Sequence, residues 1–368
     1  MSTKSLFTPH SLSSLPLRNR IAMAPMTRSR AIKNLPNNIM AVYYAQRADA
    51  GLLITEGVSP SPNGLGYARI PGIFSQEQVD AWKQVTNAVH EKGGKIFVQL
   101  MHTGRVGHEN NLPSGAKVVA PSAVQAAGKM WTDTAGLLDH PVPAALSEEE
   151  IAIVRDEFVQ AAANAIEAGF DGVELHAANG YLLEQFLSPH SNQRTDAYGG
   201  TVENRARFVL EVASEVAQTI GKAKVGVRLS PYNTFNDMPA YDEIDATYKH
   251  LASELDKLDV AYIHLADHSA DGAPAVPLYL KESIRALFGN TIILTGGYNQ
   301  DKAEEHLAAG LADLIGFGKQ FLSNPDLVTR LEKKLPLNVK LDASTLYTPG
   351  EKGYTDYPLF EEVTIDSY

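Results

Sequence analysis

Eight times along this chain a short apolar run is followed by a turn and then by an amphipathic helical stretch or a helix-forming end. The runs fall at 21–26, 52–56, 95–100, 172–176, 224–229, 262–266, 292–295 and 314–317, and the intervening helices at 38–50, 77–92, 148–168, 202–220, 242–258, 278–288 and 300–309. Punctuation supports these boundaries. Pro25 stops the first run, Gly93-Gly94 separates a helix from the third, and Ser147-Glu148-Glu149-Glu150 has the form of a capping box opening the helix at 148. A helix between consecutive strands forces them to run parallel, and parallel strands need both faces covered. Eight such units close on themselves, so the pattern predicts an α/β protein with a (β/α)8 TIM-barrel fold.

Two segments depart from the repeat. Residues 102–146, after strand three, are too long for a plain strand-to-helix loop and predict a capping insertion over the barrel mouth. Residues 336–368 form a C-terminal tail without helical period, whose aromatic residues are expected to fold back over the barrel. With 368 residues and 44% hydrophobic content the chain can bury one large core, and no linker divides it, so residues 1–368 are read as one barrel domain. A net charge of −11 is the wrong sign for nucleic acid or an anionic membrane surface, and the absence of cysteine excludes disulfides and thiolate chemistry. No stretch reaches the roughly 18 apolar residues of a membrane span, and the first residues lack a signal-like apolar core, so a cytoplasmic location is expected.

Barrel enzymes keep their chemistry at the carboxyl ends of the strands. Those ends carry Thr27, Glu56, Gln99 with His102, His176 with Asn179 and Tyr181, Arg228, and Asp267 with His268. The stretch around strand four is the densest. There an imidazole, an amide and a phenol can donate hydrogen bonds to one small oxygen-bearing ligand, and the phenol holds a proton at neutral pH that it can still release. Strands seven and eight end in Thr295-Gly296-Gly297 and Gly316-Phe317-Gly318-Lys319. Exposed backbone N–H groups beside a cation make this pair a phosphate-binding position of the fold. Each glycine pair alone reads more readily as a tight turn; their coincidence on the last two strands reverses that and favours the phosphate. Arg228 can serve an internal ion pair with Glu56 or Glu174, and Gln99 can be a core amide; on a phosphate-binding barrel both can instead cover the edge of a heterocycle that becomes negative on reduction. His264 and His268 have metal-ligand spacing, but strand one supplies no histidine pair to complete a site.

These residues strongly resemble the Old Yellow Enzyme family of FMN-dependent ene-reductases. The resemblance runs through Ala24-Pro25-Met26-Thr27-Arg28, Gly66-Tyr67, Gln99 to Arg105, His176 to Arg205 with its SNQRTDAYGG segment, Val227 to Pro231, Asn324-Pro325-Asp326-Leu327 and Gly353 to Pro358. It implies FMN across the barrel mouth, with Ala24, Pro25, Met26 and Gly57 near the ring and Thr27 bonded to the flavin carbonyl next to N5. Gln99 and Arg228 would address the pyrimidine edge, and Gly296, Gly297, Gly318 and Lys319 the phosphate. His176 and Asn179 would bind the substrate oxygen, Tyr181 would donate the proton, and Tyr67, Met101 and Tyr354 would line the substrate pocket.

The implied activity is hydride transfer from NADPH or NADH to FMN, then to the β-carbon of an activated alkene such as an enone, enal, maleimide or nitroalkene, with nitro or nitrate-ester reduction as a further possibility. Monomer and homodimer are both open. Two competing readings are a flavin-free phosphate-binding barrel isomerase or lyase, which leaves Gln99, Arg228 and Tyr181 without work, and a flavin-binding protein without turnover. Met101 stands where many relatives place Trp, which predicts a more adaptable pocket. Asn179 replaces a second histidine of some members, and Lys319 offers the phosphate a point charge where Arg is frequent.

Overall fold

The computed structural model describes residues 4–360; the last eight positions of the expected tail lie outside them. Eight parallel strands form a closed barrel in chain order: β1 (Ile21–Met23), β2 (Leu52–Val58), β3 (Ile96–Leu100), β4 (Gly172–Ala177), β5 (Val225–Leu229), β6 (Tyr262–Ala266), β7 (Thr291–Thr295) and β8 (Leu314–Phe317). Helices α1 (Asn38–Ala45), α2 (Gln76–Glu91), α3 (Glu148–Glu167), α4 (Leu182–Leu187), α5 (Val202–Ile220), α6 (Ile244–Lys257), α7 (Leu278–Leu287) and α8 (Gln300–Ala308) connect them. The barrel is thus the one that the alternation predicts. Capping follows the sequence too: Ser147 accepts from the Glu150 amide while the Glu150 side chain returns to the Ser147 amide, and Ser75 with Gln78 repeats the device at α2.

Three local readings shift. β1 ends at Met23, three residues before the predicted stop, although the Ala24 amide still bonds the Phe317 carbonyl. α1 ends at Ala45 rather than 50, its last carbonyls capped by Gln46. The turn-rich start contains an antiparallel hairpin, His10–Leu12 with Leu15–Leu17. Its Leu12 and Leu17 pack with Leu52, Phe97, Tyr262 and Leu314 on the inside of the strands, in a core separate from the main one between barrel and helices. Three-residue strands give too weak a period to find from sequence.

A bulge in β2 matters for the site. Ile54 pairs with Phe97 and Gly57 with Gln99, so one extra residue lies between them on β2. Thr55 Oγ1 accepts from the Gln99 amide, and Glu56 is turned to Tyr44 on α1, whose hydroxyl lies 3.3 Å from Glu56 Oε1. Among strand-end groups, Glu56 therefore does not reach the barrel mouth. Burial pushes its carboxyl up to about 7, against the pull of Arg28, Tyr44 and Arg30. Ionisation in an unfolded chain begins near the ordinary 4.5. Between those values the folded protein holds a proton that the unfolded chain has lost, so this group makes stability fall as pH rises from about 4.5 to about 7, by no more than about 1.4 kcal/mol per pH unit. Thermal melts across that window are expected to show a shallower fall for Glu56→Gln than for the parent; parallel curves would refute the assignment.

Candidate active site

The carboxyl ends of the strands open into a cavity of about 700 Å³. Its lining includes Pro25, Met26, Thr27, Gly57, Gln99, Met101 and Arg228, together with His176, Asn179 and Tyr181. Strand register explains the convergence: His176 pairs with Arg228, Arg228 with His264, and Gln99 with Glu174, so neighbouring strands deliver their polar groups at matching heights. A β-carbon at Gly57 would run into the Met101 thioether, so a larger residue there would force the Met101 side chain to move.

Below the cavity lies a buried polar network. Glu174 accepts from Gln99 Nε2 at 2.8 Å, from the Tyr262 hydroxyl at 3.0 Å and from His264 Nδ1 at 2.8 Å, and His264 Nε2 meets Thr295 Oγ1 at 2.6 Å. Burial alone would raise the Glu174 carboxyl; His264, Arg228 and Gln99 outweigh it and hold it below its ordinary value. Glu174 is therefore the counter-charge for Arg228, whose Nε has no protein partner while its side chain is buried. With Nε2 committed to Glu174, Gln99 has its amide oxygen left for a ligand. An unsatisfied guanidinium beside a free amide acceptor fits the edge of a ring that presents both N–H and carbonyl groups and gains negative charge on reduction. The pyrimidine ring of FMN is such an edge.

In the same cavity lining, Tyr181 donates to the Tyr67 hydroxyl at 3.1 Å, and its ring meets His176 edge-on with centroids 4.9 Å apart. Burial raises the Tyr181 phenol, with Tyr67 and Asn236 opposing, so it stays protonated at neutral pH. Burial, then Arg228, drives His176 well below its ordinary value, and the ring is neutral. The turn between them is fixed from behind. Asn179 takes φ of 59°, with its amide on Ser230 Oγ at 2.8 Å; Ser230 in turn donates to Glu184 Oε1 at 2.8 Å, and Glu184 also accepts from the Gly180 amide.

Several expected residues lie elsewhere. Tyr354 is not at the cavity: it is fully buried, stacked on Tyr43 at 4.0 Å and 7°, with the Arg30 guanidinium 4.7 Å from its ring. Tyr347, from the same tail, lines the cavity instead. Ala24 and the glycines of β7 and β8 are not among the cavity walls, and exposed Lys319 is paired with Asp271. His102 is buried, its Nδ1 accepting from the Gly104 amide, and Asp267 is paired with Lys281 at 2.7 Å. His264 and His268 have different partners, and no group of three or more metal-ligating side chains occurs among the described residues. Residues that strand-end reasoning did not single out close the outer wall: Arg69, Met130, Trp131, Asp133 and Phe235. The insertion delivers three of them on or beside a hairpin, Lys129–Thr132 with Gly136–Asp139, and Arg69 ties it to the tail by pairing with Asp133 and donating to the Tyr347 carbonyl at 2.7 Å. Trp131, Phe235 and Tyr347, 53%, 56% and 60% exposed, give the mouth an apolar rim. A tryptophan inside a Gly- and Ser-rich insertion was the one sequence signal for this wall.

The sequence profile of the NADH:flavin oxidoreductase / NADH oxidase family matches residues 5–338. The chain is 41% identical over 368 residues to 12-oxophytodienoate reductase 1 of Oryza sativa subsp. japonica, covering 98% of this chain and 95% of that one. A Leishmania infantum protein named "Probable flavin mononucleotide-dependent alkene reductase" is 41% identical over 350 residues, covering 93% of this chain and 94% of that one. The solved Old Yellow Enzyme homologue from Zymomonas mobilis superposes with a TM-score of 0.92 at 42% identity, covering 97% of this chain and all of its own.

Proposed function

The chain belongs to the NADH:flavin oxidoreductase / NADH oxidase family, that of Old Yellow Enzyme, and from this premise we propose that it reduces the carbon–carbon double bond of small alkenes conjugated to a carbonyl or nitro group. It is an oxidoreductase with FMN as cofactor, which removes the flavin-free isomerase or lyase reading. The observation that supports the alkene reading most is that His176, Asn179 and Tyr181 line the same cavity as Thr27, Gln99 and Arg228, with His176 in register beside Arg228.

Bound there, FMN supplies two-electron hydride exchange between the nicotinamide of NADH or NADPH and the alkene. Thr27, Gln99 and Arg228 would hold its ring, Arg228 balancing charge at the pyrimidine edge; the phosphate would fall to Gly297, Gly318 and Lys319, beyond the cavity lining, with Lys319 exchanging Asp271 for the phosphate. His176 and Asn179 bind the substrate oxygen and draw electron density from the double bond. Tyr181 then gives its proton to the α-carbon. Tyr67 accepts the Tyr181 hydrogen bond and so aims the phenol, while Met101 and the apolar rim cover the hydrocarbon part of the substrate. One cavity serves nicotinamide and alkene in turn, so ping-pong kinetics are expected.

The deciding experiment is anaerobic stopped-flow on the purified holoprotein, following flavin absorbance after mixing with NADPH or NADH and then with 2-cyclohexenone. Bleaching followed by recovery is expected; bleaching without recovery across enones, enals, maleimides and nitroalkenes would overturn the alkene reading and leave a flavoprotein with another acceptor. His176→Ala is expected to weaken binding of a phenolic ligand by about tenfold, the worth of roughly one good hydrogen bond. Unchanged affinity in a flavin-difference titration would remove His176 from the oxygen-binding pair.

A further inference from the structure

The side chain of Asn179 has two ends of nearly the same shape and opposite chemistry. Its oxygen only accepts hydrogen bonds and its nitrogen only donates. A carbonyl or nitro oxygen in the cavity can only accept, so the same asparagine attracts or repels it according to which end it presents. Nothing in the backbone settles this. The Asn179 amide is held by Ser230 Oγ, and its carbonyl accepts from Asn236 Nδ2 at 2.8 Å, but both bonds are compatible with either amide orientation.

His268, in the loop after β6, breaks the tie. Its Nε2 stands 2.7 Å from Asn179 Oδ1. An amide oxygen has no proton to give, so the imidazole is the donor and carries its proton on Nε2. Asn179 Nδ2 is then the end left for the cavity. His268 itself is not part of the cavity wall. We propose that His268 is a positioning residue that fixes Asn179 as a hydrogen-bond donor, and thereby makes the oxygen subsite selective for acceptor-only activating groups. Burial, then Arg228, holds His268 down at about 4, which leaves it neutral, with one ring proton, near neutral pH. A neutral ring also adds no second cation beside Arg228. The inference rests on the reading that Asn179 binds the substrate oxygen.

The test uses the FMN-loaded protein and four variants: Asn179→Ala, His268→Ala, His268→Gln and the double variant Asn179→Ala/His268→Ala. The probe is 4-nitrophenol, titrated by the flavin difference spectrum at a pH where it is the phenolate and so offers an acceptor-only oxygen, with KM and kcat for 2-cyclohexenone measured alongside. Flavin content reports folding. His268→Ala is expected to raise the phenol Kd and the enone KM by about tenfold. His268→Gln, whose amide can also donate, recovers most of that loss. On the Asn179→Ala background, removing His268 adds less than about twofold, because a residue acting only through another has nothing left to act on. The proposal is overturned if His268→Ala binds like the parent while Asn179→Ala is impaired, or if His268→Ala costs the same factor with and without Asn179. Parent-like binding by Asn179→Ala would instead sink the reading of Asn179 as an oxygen ligand, and the proposal with it.

Discussion

Tyr181→Phe is expected to slow alkene reduction by about 10²- to 10⁴-fold, the range for loss of a general acid, while flavin reduction by NADPH or NADH stays within about twofold of the parent. The substitution removes one oxygen and keeps the ring, so the edge-on contact with His176 and the packing of Tyr181 with Leu65, Ile70, Met101, Val106 and Met130 survive. The lost hydroxyl is the only group of the His176, Asn179 and Tyr181 set that combines a firmly held proton with an anion stable enough to release it. His176 is neutral and deeply depressed by burial, and an amide does not give up a proton in this range. Tyr67 keeps its own hydroxyl, but burial and Tyr181 push it well above its ordinary value, which makes it a poor replacement acid. Stopped-flow on the two half-reactions separately checks the split. Equal losses in both halves, or none in the alkene half, would remove Tyr181 from the proton-donor role.

Arg30→Met is expected to destabilise the fold by about 3–5 kcal/mol, comparable to breaking a buried charged network elsewhere. The Arg30 guanidinium is 1% exposed and donates to five backbone carbonyls: Gly350 at 3.3 Å through Nε, Arg28 and Leu346 at 2.7 Å through Nη1, and Thr345 at 2.8 Å with Lys352 at 3.0 Å through Nη2. Methionine fills similar volume but leaves these acceptors without their donor, and each buried unpaired carbonyl costs about 1–3 kcal/mol unless water reaches it. A stack is lost with it, since Arg30 covers Tyr354, Tyr354 lies on Tyr43, and Arg47 sits 3.8 Å from the other ring's centroid. Burial lowers Arg30 only to about 10, so the clamp is charged at neutral pH. The clamped segment brings Ala343, Ser344, Tyr347, Thr348 and Pro349 to the cavity, and a rise in KM for bulky alkenes is therefore expected alongside the loss of stability. Urea unfolding at fixed FMN concentration reads the first effect, with Arg30→Lys recovering part of it because an ammonium reaches fewer of the five carbonyls. A change below about 1 kcal/mol would show that the tail is held by other contacts.

The sequence by itself determined the barrel and the height at which its polar groups emerge. Strand and helix periods are local, and eight consecutive strand-helix units match the repeat number of a closed parallel barrel, so His176, Gln99 and Arg228 meet at one mouth once their strands are placed. Loop residues next to strand ends, Thr27, Asn179 and Tyr181, inherit that placement. What only the tertiary structure decided are the choices between chemically similar groups far apart in the chain. Tyr347 rather than Tyr354 reaches the cavity because Arg28 and Arg30 take particular carbonyls of an aperiodic tail some 315 residues away, trapping Tyr354 against Tyr43. Glu56 leaves the mouth because a single bulge turns it to Tyr44, a break in register that no strand pattern encodes. The outer wall comes from an insertion tied down through Arg69, and the facing end of Asn179 from a histidine 89 positions later. Local periodicity fixes which way a side chain points along its own element; which partner it meets there depends on the packing of every other segment, and that information is shared among residues that the sequence keeps apart.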